Sequence, residues 1–529
     1  MPDLGEPHPE WPPGILFKPT YDIDWQFDFI ARMFLMKRAL LAADMGLGKS
    51  VMALGVAAVA FEHELIDHVV FACEVNKLSE WMRDLARFTR LSAGLYHGPK
   101  RKQLLDGLPQ ALVTTYETAR TDAAVPPPKG ARGAGSKTMR PGPLLEALAG
   151  RRVMLVYDEV TKLGHGRSSQ LYKSHRWLEQ QLRKACPDMR VIGLTGTPME
   201  TDLDGMLSEM RIVVPAAMPP VEEYERRVVK SRHPVYGTPS YRPEGREWFR
   251  SLCDPHILRK RKSDPDVRES FPPLLEEFRR IRMHADQYRL YRELEDLAWD
   301  GDGRRVERPG LQLALRLLAG DPLAVLEAAR NGDSPLIQVI AEERGEELEA
   351  CSSAKAQELA SMADIVMPGG GKLMAFTFFA HTVMPALVKR LGDRTVFTYH
   401  GGMTQHERDR QLDGFRACGG GGAVLLASDA GSKGINVPEA AVIAEYEPAS
   451  KHSTRVQRAG RGHRLGRLDP LTFVTFVLES TIESSSNIAS VLSRNADQDF
   501  MLHDDEDPDY VTAGDRREMY AQARPRKAV

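Results

Sequence analysis

The chain has 529 residues, of which 42% are hydrophobic and 27% charged, and its 71 basic and 73 acidic residues leave a formal net charge of −2. This is the make-up of a globular protein with room for about two to four domains, and it excludes a fibrous or disordered chain. Near-neutrality also means that no overall basic footprint marks a nucleic-acid binder, so any such surface must come from local runs such as Arg259-Lys260-Arg261-Lys262. The N-terminal MPDLGEPHPEWPPG is acidic and proline-rich where a signal peptide needs a basic start, and no apolar run reaches membrane-spanning length. Cysteines 73, 186, 253, 351 and 418 show no CxxC or Cys/His spacing. A reducing, cytoplasmic setting without zinc or disulfides is the expectation.

In chain order, apolar runs read as strands at RALLAAD (38–44), HVVFACE (68–74), ALVTTY (111–116), VMLVYDE (153–159) and RVIGLTG (190–196), with helical patterns between them. A second series follows at KLMAFTF (372–378), RTVFTYH (394–400), AVLLASD (423–429), AVIAEYE (441–447) and LTFVTFV (471–477). Such alternation predicts βαβ units and mostly parallel sheets, hence an α/β fold of two lobes in tandem. Residues 120–145 are rich in Pro, Gly and Ala and read as a surface insertion. The expected organisation is an arm at 1–20, a first lobe at 21–225, a helical elaboration and linker at 226–355, a second lobe at 356–490 and a polar tail at 491–529.

The chemistry concentrates in a few segments. Asp44-Met45-Gly46-Leu47-Gly48-Lys49-Ser50 follows a strand and opens a helix, as a phosphate-binding loop does, although Ala43 stands at its first glycine position. Its backbone N–H groups are expected to cradle phosphates, Lys49 to reach the terminal phosphates of ATP, and Ser50 to ligate Mg2+. The strand VMLVYDE ends in Asp158 and Glu159, which suit a carboxylate that holds Mg2+ through water and one that orients the attacking water. LTGTPME offers the hydroxyls of Thr195 and Thr197, either as sensors of the phosphate state or as a simple strand-to-helix cap. The turn SDAGSKGIN (428–436), with Ser428, Lys433 and Gly434, can bring amides near the phosphates of ATP or of a nucleic-acid strand. HGGMT, with His400 and Gly401, is a similar turn in which His400 reads as structural or backbone-contacting. Arg461 and Arg464, spaced i and i+3 in QRAGRGHRLG, would share one helix face and supply cations to a phosphoryl transition state.

Together these segments resemble helicase superfamily two, and within it the Swi/Snf branch of double-stranded-DNA translocases, over roughly residues 20–485. DMGLGKS looks like that branch's first motif, and Gln26 in YDIDWQFDF sits where its adenine-contacting glutamine is expected. VVFACEVNKLSEW places Trp81 at the family tryptophan, TTYET carries Thr115, and LTGTPMETDL matches the third motif. HILRKRKSDPDVRESFPPLLEEF resembles the branch's connector, and SSAKAQEL and GGGKLMAFTFF its entry to the second lobe. Gln457 in the final motif aligns with a nucleotide contact, and Arg461 and Arg464 fall on the arginine-finger positions. One departure stands out: the second motif continues with Val160-Thr161 where the family has a small residue and a histidine, so a coupling role passes to Thr161 or is absent.

The resemblance implies two RecA-like lobes, ATP and Mg2+ between them, and sequence-independent binding of double-stranded DNA, with Thr115, His400, Gly401, Ser428 and Lys433 on the nucleic-acid side. The short flanks of the core point to a lean bacterial or bacteriophage motor. A strand-separating DNA or RNA helicase shares every nucleotide motif, and a nucleotide-gated module that remodels a protein partner is the alternative of another class.

Overall fold

The computed structural model describes residues 24–125, 140–164, 169–186, 189–196, 202–232, 239–298, 308–429, 435–449, 452–464, 467 and 469–481. Packing divides them into two units that part between Ser270 and Phe271. The 1–20 arm and the 491–529 tail lie outside the described residues.

The first unit contains strands β1 (Arg38–Ala43), β2 (His68–Cys73), β3 (Ala93–Tyr96), β4 (Ala111–Thr115), β5 (Ala124–Val125), β6 (Arg140–Pro141), β7 (Val153–Asp158), β8 (Arg190–Thr195), β9 (Val229–Arg232), β10 (Pro239–Tyr241) and β11 (Ile257–Lys260). Seven of them form one sheet in the order β11-β1-β8-β7-β2-β4-β3, with every pairing parallel. Strands β2, β4, β7 and β8 are buried at every residue, which is why they read as unbroken apolar runs: helices cover both faces. The first six helices are α1 (Asp24–Met36), α2 (Lys49–Glu62), α3 (Leu78–Phe88), α4 (Tyr116–Ala123), α5 (Pro143–Leu148) and α6 (Gln170–Ala185). Helix α3 buries Leu78, Trp81, Leu85 and Phe88, one stripe at spacings of three and four residues. The short β5–β6 pair is antiparallel and closes the base of the 120–145 insertion, whose residues 126–139 lie outside the described set.

The second unit contains β12 (Leu274–Ile281), β13 (Lys372–Phe376), β14 (Val396–Tyr399), β15 (Ala423–Ala427), β16 (Val442–Glu445) and β17 (Leu471–Leu478). They form an all-parallel sheet in the order β12-β17-β16-β13-β15-β14.

Each run read from the sequence as a strand is a strand, but the 226–355 stretch is not one helical linker. Residues up to 270 belong to the first unit and add β11 beside β1. Residues from 271 belong to the second: β12 pairs with β17, and helices Leu311–Gly320, Pro322–Asn331 and Pro335–Ala350 share a core with Leu373, Ala375, Val424, Leu426 and Ala444 of its sheet. Charge hid both strands. β11 is ILRK, and β12 is LLEEFRRI, an edge strand paired on one side only, whose charged residues lie on open surface. Among the described residues no helix is long and apolar enough to cross a membrane.

Candidate active site

At the carboxyl end of β1 the chain turns through Asp44–Gly48 into α2. Gly46 (φ 90°) and Gly48 (φ 80°) hold left-handed conformations that an L side chain resists. A Cβ at Gly48 would also stand 2.6 Å from Gln26 Nε2. Gln26, on α1 and 2% exposed, donates from Nε2 to the Leu47 carbonyl (2.9 Å), and its Oε1 is buried without a hydrogen-bond partner. An orphaned acceptor costs free energy, so an N–H donor on a ligand is the physical partner it lacks. Lys49 Nζ donates to the Ala43 carbonyl (2.7 Å) and, at 3.4 Å, to that of Asp44. Ser50 follows in the first turn of α2, whose leading N–H groups favour an anion. Leu47 is fully buried core, and Met45 packs beside Gly196. Asp44, expected at the nucleotide, instead straps the loop to β11 and the residues after it. Its N–H donates to the Lys260 carbonyl, Arg259 donates to Oδ1 (3.2 Å) and the Lys262 N–H to Oδ2 (3.0 Å).

Two strands away, β7 ends at Asp158. Its carboxylate accepts from the Trp81 indole (Nε1 to Oδ2, 2.8 Å), and its carbonyl accepts from the Tyr116 hydroxyl (2.8 Å). Glu159 takes φ 55°, a strained value for a residue with a side chain, of the kind that marks functional turns. Its Oε2 accepts from Thr195 Oγ1 (3.4 Å), at the end of neighbouring β8. Burial raises the Glu159 carboxyl above its ordinary value, nearby Lys49 opposes that, and Asp158 adds to it. A Cβ at Gly196 would lie 3.4 Å from Lys49 Nζ. Lys49, Glu159, Thr195 and Gly196 therefore meet at one edge, over β1, β8 and β7. Thr161 is buried in the turn Val160–Gly164, and the next residue, Lys162, pairs with Glu74 (2.8 Å). Thr197 lies outside the described residues. Thr115, expected at nucleic acid, is 6% exposed and its hydroxyl caps α4, accepting from the Thr118 N–H.

In the second unit the arginine pair sits differently from expectation. The helix His452–Ala459, which carries half-buried Gln457, stops before Arg461. Gly460 and Gly462 carry the chain into a turn, so Arg461 and Arg464 do not share a helix face. Arg461 is 5% exposed and donates to the Ile435 carbonyl (3.4 Å). Sequence reasoning passed over Arg458, which is 1% exposed, grips Asp429 with two bonds of 2.8 Å and donates to Glu445 (3.0 Å). Arg455 bonds the other Glu445 oxygen (3.0 Å). Ser428 is buried and its N–H donates to the Tyr399 carbonyl, so it sits beside the turn that starts at His400. The His400 ring meets His381 edge-on at 5.4 Å, its Nδ1 is buried without a partner, and burial followed by the nearby His381 lowers its pKa. Gly401 is exposed, while Lys433 and Gly434 lie outside the described residues.

A glycine-rich loop, its lysine and a strand-ending Asp-Glu pair on an all-parallel sheet define a phosphate-loop nucleotide fold, followed here by a second sheet of the same kind. A profile of the SNF2-related domain matches residues 32–317, and one of the helicase conserved C-terminal domain matches 356–466. The first spans more than half of the chain, which belongs to the SNF2-related family. The chain is 23% identical over 484 residues to the CHD3-type chromatin-remodeling factor PICKLE of Arabidopsis thaliana, covering 84% of this chain and 31% of that protein. It is also 23% identical over 462 residues to the putative ATP-dependent helicase/translocase YwqA of Bacillus subtilis, covering 85% and 45%. The chain thus spans less than half the length of either relative. Among solved structures, the Pyrococcus furiosus Hef helicase domain superposes with a TM-score of 0.53 at 14% identity, over 88% of this chain and 97% of that one. That likeness concerns the fold: two RecA-like units in tandem.

Proposed function

We propose that the chain is a DNA-dependent ATPase that steps along duplex DNA. The observation that carries this reading is the convergence of Lys49, Glu159 and Thr195 at one strand edge, beside a loop whose glycines are held in left-handed conformations. These residues fit a nucleoside triphosphate: the loop and α2 offer N–H groups, Lys49 a cation, and Gln26 Oε1 an unsatisfied acceptor for an exocyclic amine such as that of adenine. Ser50 and Asp158 would hold Mg2+, which when bound neutralises phosphate charge. Glu159, ionised, orients the attacking water and accepts its proton, and Thr195 holds that carboxylate by a hydrogen bond. The motif resemblance assigns Arg461 and Arg464 to the charge that develops in the transition state, with Gln457 near them in sequence.

Family membership supports DNA as the track. His400, Gly401, Ser428 and Lys433 are the residues we assign to phosphate contacts, which carry little sequence information and are weakened by salt. The test compares ATP turnover with duplex DNA, single-stranded DNA, RNA and no nucleic acid, together with displacement of a triplex third strand and unwinding of a fork. Duplex DNA as best activator with triplex displacement supports the translocase. RNA as best activator, or fork unwinding without triplex displacement, moves the protein to the strand-separating class.

A further inference from the structure

A tryptophan indole is bonded directly to the carboxylate assigned to the metal. Trp81 is 1% exposed, its ring lies 4.6 Å from that of Phe71 at 32°, and its Nε1–H reaches Asp158 Oδ2 at 2.8 Å. The donor cannot rotate out of this contact, because α3 buries the indole in the same stripe as Leu78, Leu85 and Phe88. The segment leading into α3 is tied to the same carboxylate loop a second time, through Glu74 and Lys162. From the other side the Tyr116 hydroxyl holds the Asp158 backbone carbonyl. Asp158 is therefore fixed at both backbone and side chain, with one carboxylate oxygen committed to a neutral donor.

We propose that Trp81 is a positioning residue for the metal: its indole N–H sets the rotamer of Asp158 that Mg2+ requires. This rests on the ATPase reading and names a residue that acts only through Asp158. A neutral donor suits the task, because it orients the carboxylate without cancelling the charge a divalent cation needs, whereas an arginine there would compete with the metal. Hydrogen-bond partners of metal ligands typically control affinity in this way, and their loss costs about ten- to a hundredfold.

The experiment measures binding of a non-hydrolysable ATP analogue by calorimetry, over a Mg2+ titration and in EDTA. Three proteins are compared with the unaltered chain: Trp81→Phe, a protein with Trp81 replaced by its benzothienyl isostere, which keeps the ring shape and lacks only the N–H, and Phe71→Leu, which disturbs the packing but keeps the donor. We expect the first two to need about ten- to a hundredfold more Mg2+, with affinity in EDTA unchanged, and Phe71→Leu to keep the ordinary Mg2+ requirement. If Trp81→Phe fails to fold, the isostere decides. An unchanged Mg2+ requirement in the isostere, or the same shift in Phe71→Leu, overturns the inference while leaving the ATPase reading intact. Absence of Mg2+-dependent binding in the unaltered chain overturns both.

Discussion

Both units place acids at the carboxyl edge of a parallel sheet, but they neutralise them in opposite ways. In the second unit Glu445 is 1% exposed and bonds Arg455, Arg458 and Thr475, while Asp429 is gripped by Arg458. Glu447 takes the Thr377 hydroxyl and the Phe378 N–H. In the first unit Asp158 and Glu159 are met by an indole and a threonine hydroxyl, and among the described residues no arginine bonds either of them. Acids consumed by arginines hold a fold together; acids oriented by neutral donors keep their charge for an incoming cation. The same edge is thus a brace in one unit and the proposed site in the other.

The comparison breaks most visibly where the second unit is assigned chemistry. Arg461→Ala and Arg464→Ala are each expected to lower turnover by about three to five decades with modest change in nucleotide affinity. Measured as kcat beside analogue Kd, an equal loss of rate and affinity would make these arginines part of the brace as well. Next in size, Glu159→Gln should keep nucleotide binding and lose about two to four decades of turnover. Because burial raises the Glu159 carboxyl above 4.5 and catalysis needs it ionised, turnover of the unaltered chain should fall as pH drops through that raised value. An acid limb at or below the ordinary carboxylate value contradicts the assignment.

Arg458→Met sharpens the contrast from the side of stability. It takes one arginine from buried Glu445, which keeps Arg455 and Thr475, and both Arg458 bonds from half-buried Asp429, and should cost about 3–5 kcal/mol, read by denaturant unfolding, whereas Asp158→Asn should leave stability nearly unchanged. Equal effects of the two would dissolve the distinction between brace and site. The smallest effect concerns His175, 1% exposed on α6, whose Nε2 bonds the Tyr116 carbonyl. Burial lowers its pKa from 6.5 to about 4, so the unfolded chain takes up the proton first. Stability is then present above 6.5 and lost as pH falls toward 4, with a slope of at most about 1.4 kcal/mol per pH unit. His175→Gln should flatten that slope.

Most of the ten apolar strands were legible because a doubly covered parallel sheet leaves no polar alternation to confuse the reading, and the edge strand β14, half-buried at three of its four residues, because VFTY carries no charge. β11 and β12 were not, since edge position let charged residues occupy them. Within the site, the phosphate loop and the Asp-Glu pair announce themselves by spacing alone. What spacing cannot carry is the partner of each group. Trp81 and Asp158 are 77 residues apart and meet only because β2 lies beside β7. Asp44 reads as part of the loop, yet its carboxylate is spent on Arg259 and Lys262, more than two hundred residues on. The helix expected under Arg461 and Arg464 failed on two glycines, Gly460 and Gly462, that favour a turn over a helix interior.

The central claim is that the first unit's edge hydrolyses ATP in response to duplex DNA. It is tested most directly by phosphate release from the purified chain, with and without duplex DNA, beside a folded Lys49→Ala protein. The account predicts release that duplex DNA stimulates, that added salt suppresses as phosphate contacts are screened, and that Lys49→Ala abolishes. Undiminished release from Lys49→Ala, or release indifferent to DNA at low salt, would contradict it.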